Sequence, residues 1–394
     1  MQLAVISPNL QSVAMLWSLH CSACSYTQPN GALLASLCPD CGQPLTVRYP
    51  KPVPRKLITG EASLWRYGAA LPLAKGENRV SLGEGATPMF ELPHLAREIG
   101  VRRLWVKDEG INPTASFKAR GLMMAITRAK AIGVNGVCVP TAGNAGIALA
   151  AYAAAAAIPC RIFAPAATPP PILGSIRAFG AELELVDGHI GDAGKATMAY
   201  AKDNGFFNVA TVREPYRVEG MKTMGFEVAE QLGWRLPDAI VYPTGGGEGT
   251  IGIWKAIGEM LEWGWLSSGT VRPRMIIAQA DGCAPLVRAF QSGAQKATPW
   301  DSPTTHASGL RVPGPLGDRW TLRVLRESGG DAEAVSEQAI RAGTLLLASK
   351  SGIDACPEGG VALEATRQLV ATGRLKADAE VVVFNTGSGA SYRW

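Results

Sequence analysis

The sequence predicts an α/β protein with two open, mostly parallel sheets carrying helices on both faces, preceded by a small cysteine-rich module. Three observations carry that expectation. Short β-rich runs alternate with helix-period segments beyond Ser81, loops rich in glycine or hydroxyls follow several of those runs, and two C-x-x-C pairs stand in front of them all. At 394 residues the chain can bury a large core in two or three domains.

The cysteines come first. Cys21-Ser-Ala-Cys24 and Cys38-Pro-Asp-Cys41 are separated by thirteen residues, a spacing that can present four thiolates tetrahedrally to one zinc ion. Gly42 permits a tight turn after the second pair. Four cysteines close the metal's shell, so the expected zinc is structural and the module, residues 15–47, is a zinc-ribbon-like appendage. Residues 48–80 read as linker and lead-in, with Pro50, Pro52 and Pro54 keeping the first stretch extended.

Strands are expected at Arg103–Val106, Gly136–Val139, Arg161–Phe163, Glu182–Val186, Ala239–Tyr242, Met275–Ala278 and Glu380–Phe384. Between them lie helical spacings such as Leu122, Ala125, Ile126, Ala129 and Ile132, closed by Gly133. Residues 81–210 form the first expected α/β domain and residues 211–394 the second. The alanine-rich stretch Ala145 to Ala157 is too short and too weakly apolar to span a bilayer, so it reads as a buried helix.

Composition narrows the function classes. With 47% hydrophobic and 18% charged residues the chain is not disordered. A net charge of +5 without any run of four basic residues fits anionic small molecules at least as well as nucleic acid. The first seventeen residues lack a basic opening and contain Pro8, which argues against an export signal and for a reducing, cytoplasmic setting.

Ligands of open parallel sheets bind beyond the carboxyl ends of the strands. Three loops suit that place: Thr141-Ala-Gly-Asn144, Thr244-Gly-Gly-Gly-Glu-Gly-Thr250 and Asn385-Thr-Gly-Ser-Gly389. A fourth, Asn112-Pro-Thr-Ala-Ser-Phe-Lys118, enters a helix that Ser116 can cap, which sets Lys118 near the positive end of the helix dipole. That position favours the neutral amine that imine chemistry needs. The glycines at 245–249 can converge backbone N–H groups on a phosphate, and no lysine follows to reach a triphosphate. Taken singly, the loop is equally a plain strand-to-helix turn, and a first-turn lysine is usually a solvated side chain.

In combination these segments resemble the fold type II pyridoxal-phosphate enzymes, and among them most closely the threonine synthases. Leu82-Gly-Glu-Gly-Ala-Thr-Pro88 is similar to that family's opening motif, and Glu214-Pro-Tyr-Arg-Val-Glu-Gly-Met-Lys-Thr223 to its substrate-side segment. The resemblance runs from about residue 80 to 391 as an ordered set. It implies that Lys118 holds pyridoxal 5′-phosphate as an imine and then shuttles protons. It implies that Asn144 meets the cofactor's 3′-oxygen, and that Gly245, Gly246, Gly247, Gly249 and Thr250 hold its phosphate. Thr386, with Ser388, would face the pyridine nitrogen; a hydroxyl there suits elimination and replacement better than transamination.

The implied reaction turns O-phospho-L-homoserine and water into L-threonine and phosphate, with Thr141 on the substrate and Lys107, Arg217 and Lys222 as cations for its phosphate. Three departures stand out. Ala119 replaces an aspartate found in many relatives, Ala145 replaces a frequent hydroxyl, and Glu248 sits inside the phosphate loop, where its carboxylate must point outward or meet a cation. His20, His94, His189 and His306 receive no catalytic role, and Cys138, Cys160, Cys283 and Cys356 none either. The role of Ser308-Gly-Leu-Arg-Val-Pro313 stays open, with a loop over the site as one option.

Two rivals remain. A threonine or serine ammonia-lyase, or a β-replacement enzyme, would use the same lysine and glycine loop. A non-catalytic zinc-ribbon binding protein is the other, although Tyr26 is nearly alone among basic and aromatic residues in the ribbon's loops, a poor nucleic-acid surface. The expected partner is a small amino-acid substrate, with neither nucleic acid nor membrane, and by analogy with relatives the chain is expected to be a homodimer.

Overall fold

The computed structural model describes residues 17–31 and 34–392. Of the opening residues read for an export signal, all but Trp17 lie outside that range, as do the first two residues of the expected ribbon module. At the front, β1 (Ser18–Cys21), β2 (Thr27–Gln28) and β3 (Leu45–Arg48) form a three-stranded antiparallel sheet with β1 in the middle. Its apolar side chains Leu19, Leu45 and Val47 are buried in a core shared with the body of the protein.

The strands of the body divide between two sheets. In chain order they are β4 (Met89–Glu91), β5 (Arg103–Asp108), β6 (Val137–Pro140), β7 (Cys160–Pro165), β8 (Glu182–Val186), β9 (Phe207–Asn208), β10 (Ala239–Pro243), β11 (Arg274–Ala280), β12 (Asp331–Val335) and β13 (Glu380–Asn385). The larger sheet runs β12-β11-β10-β13-β5-β4, parallel except for the edge strand β4; the smaller runs β8-β7-β6-β9, all parallel. Eleven α-helices lie among the described residues, besides several short 3-10 turns: α1 (Pro93–Ile99), α2 (Lys118–Ile132), α3 (Asn144–Ala156), α4 (Pro170–Ala178), α5 (Ile190–Asn204), α6 (Tyr216–Gln231), α7 (Glu248–Glu262), α8 (Pro285–Gln291), α9 (Asp318–Glu327), α10 (Glu337–Ser351) and α11 (Pro357–Ala371). None of them is long and apolar enough to cross a membrane.

Strand alternation explains why the larger sheet is apolar on both faces. Ile240, Tyr242, Met275, Ile277, Val382 and Phe384 enter one core, while Ala239, Val241, Ile276, Ala278, Val381 and Val383 enter the other. This double burial is why the strands read in sequence as continuous apolar runs.

The expected division at residue 210 is corrected here. β4 and β5 pair with the C-terminal strands, β5 lying beside β13 with Val106 opposite Val383, so the smaller sheet occupies only residues 137–208. After the front sheet, the chain enters the large sheet at β4 and β5, leaves for the small one and returns. Residues 48–80 also differ from a free linker. They are fastened to the body, where the Trp265 indole donates to the Val53 carbonyl, Arg55 donates to the Trp265 carbonyl, and Tyr49 donates to Glu219 and to the Ala70 carbonyl.

Candidate active site

All four loops singled out above follow strands at their carboxyl ends, and the two sheets bring them to one narrow cleft. Lys118, Asn144, Gly245, Gly246, Gly247, Gly249 and Thr386 line it.

Lys118 opens α2 after a turn that the backbone holds under strain, since Thr114 and Ala115 both have positive φ, at 66° and 56°. That turn is stitched to the end of β13. The Phe117 amide donates to the Thr386 carbonyl at 3.0 Å and the Ser388 amide to the Ala115 carbonyl at 2.9 Å. Ser116 does not cap α2 as expected. Phe117 occupies the N-cap without a side-chain bond, and the Ser116 hydroxyl is buried with no partner. The Lys118 side chain is 19% exposed, and its ammonium donates to Glu248 Oε1.

Glu248 is the first residue of α7, with its side chain 2% exposed. The carboxylate turns into the cleft, where it meets Lys118 and, at 2.6 Å, Arg217 Nη2. Burial pushes its pKa up, but the two cations overcome this and hold it below the ordinary carboxylate range. Burial pulls the Lys118 amine below its ordinary pKa; Glu248 opposes that shift and the like charge of Arg217 adds to it. The second Glu248 oxygen, Oε2, is buried without a partner, as is Asn144 Oδ1.

The glycine loop is built for close approach. Gly247 has φ +94°, and a β-carbon there would lie 2.2 Å from Thr321 Oγ1; one on Gly249 would lie 2.3 Å from the Tyr242 ring. Thr250 lies behind the loop, its hydroxyl 2.8 Å from that of Thr244.

Several expected roles move. Thr141 does not face the cleft; its hydroxyl accepts from the amides of Gly143 and Gly146 and donates to the Gly143 carbonyl, holding the Asn144 loop in shape. Ser388 turns to Asp354, 2.5 Å away. Lys107 is fully buried on Glu227, Gln231 and the Thr87 carbonyl, and Lys222 on Glu219 and Glu259. Neither lines the cleft, which corrects the expectation that they meet a substrate phosphate. Each buried cation needs a buried anion, and these two have theirs elsewhere. Arg217 does not line the cleft either; fully buried on the Val209 carbonyl and Glu248, it reaches the site only through that carboxylate.

Other side chains join the lining unannounced. Glu358, in the first turn of α11, accepts from the Gly309 amide at 2.9 Å and from the Tyr392 hydroxyl at 2.7 Å, and with Leu310 these residues close one side. The segment from Ser308 thus lies against the cleft. A readable signal for Glu358 was Pro357-Glu-Gly-Gly360, a helix start with an acid ahead of two glycines. No histidine among the described residues lines the cleft.

Some distance away, the sulfurs of Cys21, Cys24, Cys38 and Cys41 all lie within 4.8 Å of one another. Cys21 is 3.4 Å from Cys41, and Cys24 is 3.6 Å from Cys38.

Comparison with known proteins agrees with this geometry. Residues 80–387 match the family model described as pyridoxal-phosphate dependent enzyme. The chain is 36% identical to a threonine synthase of Methanosarcina acetivorans over 84% of its own length and 81% of that protein's. It is 34% identical to one of Methanocaldococcus jannaschii over 85% and 82%, and 31% identical to one of Synechocystis over 94% and 91%. Among solved structures, maize serine racemase superposes with a TM-score of 0.66 at 21% identity, covering 77% of this chain and 88% of that one. A fungal L-serine ammonia-lyase from Rhizomucor miehei gives 0.66 at 22%, covering 77% and 94%; at such identities the likeness is one of fold. A half-buried lysine at a glycine loop between two parallel sheets, matched along most of the chain, places this protein among the pyridoxal-phosphate-dependent enzymes, in the threonine synthase family.

Proposed function

We propose that this protein converts O-phospho-L-homoserine and water into L-threonine and phosphate, with Lys118 as its catalytic amine. The observation that carries the proposal is the Lys118 amine, held by Glu248 at the edge of the glycine loop that follows β10. The cleft suits pyridoxal phosphate on its own terms. Its glycine loop is packed so tightly against Gly309, Thr211, Thr321 and Tyr242 that only glycines fit, which leaves backbone in place of side chains along that wall, and Asn144 Oδ1 is a buried polar atom without a partner on the other.

Gly245, Gly246, Gly247 and Gly249 would hold the cofactor's phosphate, Asn144 its ring oxygen, and Thr386 its ring nitrogen. When bound, the cofactor supplies an electron sink that makes bonds at the substrate's α-carbon labile. Lys118 does the proton work, taking the α-proton in its neutral form. Its lowered pKa keeps that form accessible. Glu248 stays ionised beside it, ready to hold the ammonium once the proton is taken. Arg217 keeps the Glu248 charge matched while Lys118 is engaged, so the glycine loop need not face an uncompensated carboxylate. Glu358 fastens Tyr392 and Gly309 over the cleft, which limits water to what the reaction uses.

The proposal includes a structural zinc ion on Cys21, Cys24, Cys38 and Cys41. A tetrahedral site with Zn–S bonds of about 2.3 Å has sulfurs roughly 3.8 Å apart, close to the separations of 3.4 and 3.6 Å between the paired thiols.

The test is turnover by the purified, cofactor-loaded protein. Equal amounts of phosphate and threonine from O-phospho-L-homoserine are expected. Keto acid from threonine, with no phosphate from phosphohomoserine, would assign an ammonia-lyase instead.

A further inference from the structure

A reaction that consumes water needs a second proton acceptor in the cleft. Lys118 takes the α-proton and must still hold it when water adds, because that proton goes back to the α-carbon at the end. Most other polar groups of the cleft are committed. Glu248 Oε1 is shared by Lys118 and Arg217, and those cations hold the carboxylate below its ordinary pKa, which makes it a poor acceptor. The hydroxyls of Thr244 and Thr250 lie 2.8 Å apart and serve each other. Tyr242 points its hydroxyl at the Met224 sulfur, and Tyr392 donates its own to Glu358.

Glu358 is placed differently. It lines the cleft together with Lys118 and Thr386 and is 4% exposed. Its Oε1 accepts from the Gly309 amide at 2.9 Å and the Tyr392 hydroxyl at 2.7 Å, both neutral donors. Its Oε2 is buried without a hydrogen-bond partner, and no cation among the described residues pairs with the carboxylate. The nearby Cys356 thiol is kept protonated, first by burial and then by the charge of Glu358, so it does not compete for a proton. The carboxylate is also tied to the lysine through the backbone. The Cys356 amide, at the N-cap of α11, donates to Asn385 Oδ1 at 3.1 Å, and the next residue, Thr386, accepts from the Phe117 amide. Two neutral bonds thus fix the group while one oxygen stays bare. A bare buried carboxylate oxygen is costly until a donor reaches it, and the donor this reaction brings is water.

We propose that Glu358 is the general base that takes a proton from the water adding at the substrate's β-carbon. The assignment rests on the phosphohomoserine reading. Once phosphate has left, the four-carbon skeleton carries a double bond between its α- and β-carbons. Water's oxygen bonds to the β-carbon, the electron pair of that double bond shifts to the α-carbon, and Lys118 returns a proton there. The proton lost by water passes to Glu358 and then to solvent, which balances the one that the departing phosphate takes up.

The experiment compares cofactor-loaded wild type with Glu358→Gln, whose side-chain oxygen can still accept from Gly309 and Tyr392 but takes no proton. A single turnover of O-phospho-L-homoserine by Glu358→Gln should still release phosphate. Threonine per phosphate should fall by roughly tenfold or more, with keto acid and ammonia making up the difference. Glu358→Asp keeps a carboxylate on a shorter arm and should give an intermediate ratio. Capture of pyridoxal phosphate by the cofactor-free variants should stay within about threefold of wild type, since the base acts after the cofactor is bound. A role limited to fastening the cleft would lower phosphate and threonine together, and equal amounts of the two in Glu358→Gln would overturn the assignment. If that variant does not fold, equal amounts in Glu358→Asp would overturn it. No threonine from the wild type would instead refute the reaction itself.

Discussion

Glu248 Oε1 accepts hydrogen bonds from both Lys118 and Arg217, joining the first turns of α2, α6 and α7 through one buried oxygen. This contact resolves the oddest residue in the loop. A carboxylate inside a phosphate cradle is tolerable because two cations share it. It also makes Glu248 the group that tunes Lys118.

Removing that charge should shift how the lysine titrates. Burial depresses the Lys118 pKa and Glu248 props it up, so Glu248→Gln should lower it further. The neutral amine then persists to lower pH. Capture of pyridoxal phosphate by the cofactor-free protein, followed by absorbance as a function of pH, should reach its half-maximal rate at lower pH in Glu248→Gln than in wild type. An unmoved or raised midpoint would show that Glu248 does not govern the amine.

The glycine loop makes a steric prediction. Gly249→Ala drives a methyl group against the Tyr242 ring, 2.3 Å from the nearest atom. Overpacking of this kind costs about 1–3 kcal/mol. Cofactor affinity should fall by roughly tenfold or more, as measured by equilibrium dialysis, because the loop cannot move without leaving its place over the cleft.

Beneath the site lies a charge network that should set acid stability. Arg120, fully buried, binds Glu109 and Glu227, and Glu227 also holds Lys107. Burial alone would raise the Glu227 pKa, but Arg120 and Lys107 outweigh it and hold it far below the ordinary value. A carboxylate with a depressed folded pKa stabilises fully above its unfolded pKa of about 4.3 and loses that contribution as pH falls toward the folded value. Glu227→Gln should cost about 3–5 kcal/mol near neutrality by leaving buried cations unmatched. Its stability should also decline less steeply than that of wild type below about pH 4. Denaturant titrations across pH check both.

For the ribbon, elemental analysis should find about one zinc per chain, and Cys38→Ala should lose it. The module touches the body through Arg323 to the Ser22 carbonyl and through Tyr216 to the Gly31 carbonyl. Tyr216 opens α6 and neighbours Arg217, so metal loss should lower Tm and reduce turnover, while the retained Lys118 still captures cofactor.

Much of this architecture was readable because it is local. Glu182–Val186 is a strand over the expected residues, and the spacing from Leu122 to Ile132 is a helix ending at Gly133. The loops after β6, β10 and β13 converge because parallel sheets place such loops at one edge. What failed was non-local. Nothing near Lys107 in sequence reveals that Glu227 neutralises it, and although Lys222 has Glu219 three residues before it, its second partner Glu259 comes from another helix. The chain's return to the large sheet left β5 on the wrong side of the expected boundary. β12, with the sequence Asp-Ala-Glu-Ala-Val, is too polar to announce itself, since only its Ala332 and Val335 side chains are buried. Glu248 showed in sequence as an anomaly, but its two partners are set by packing.

The central claim is that the amine of Lys118, and no other, carries the cofactor. Borohydride reduction of the pyridoxal-phosphate-loaded protein would fix the carbon–nitrogen link, and peptide mass mapping would locate it. The account predicts the added mass on the peptide containing Lys118, with none in Lys118→Ala. Label on the peptide of Lys107 or Lys222 instead, or an unmodified Lys118 peptide, would contradict it.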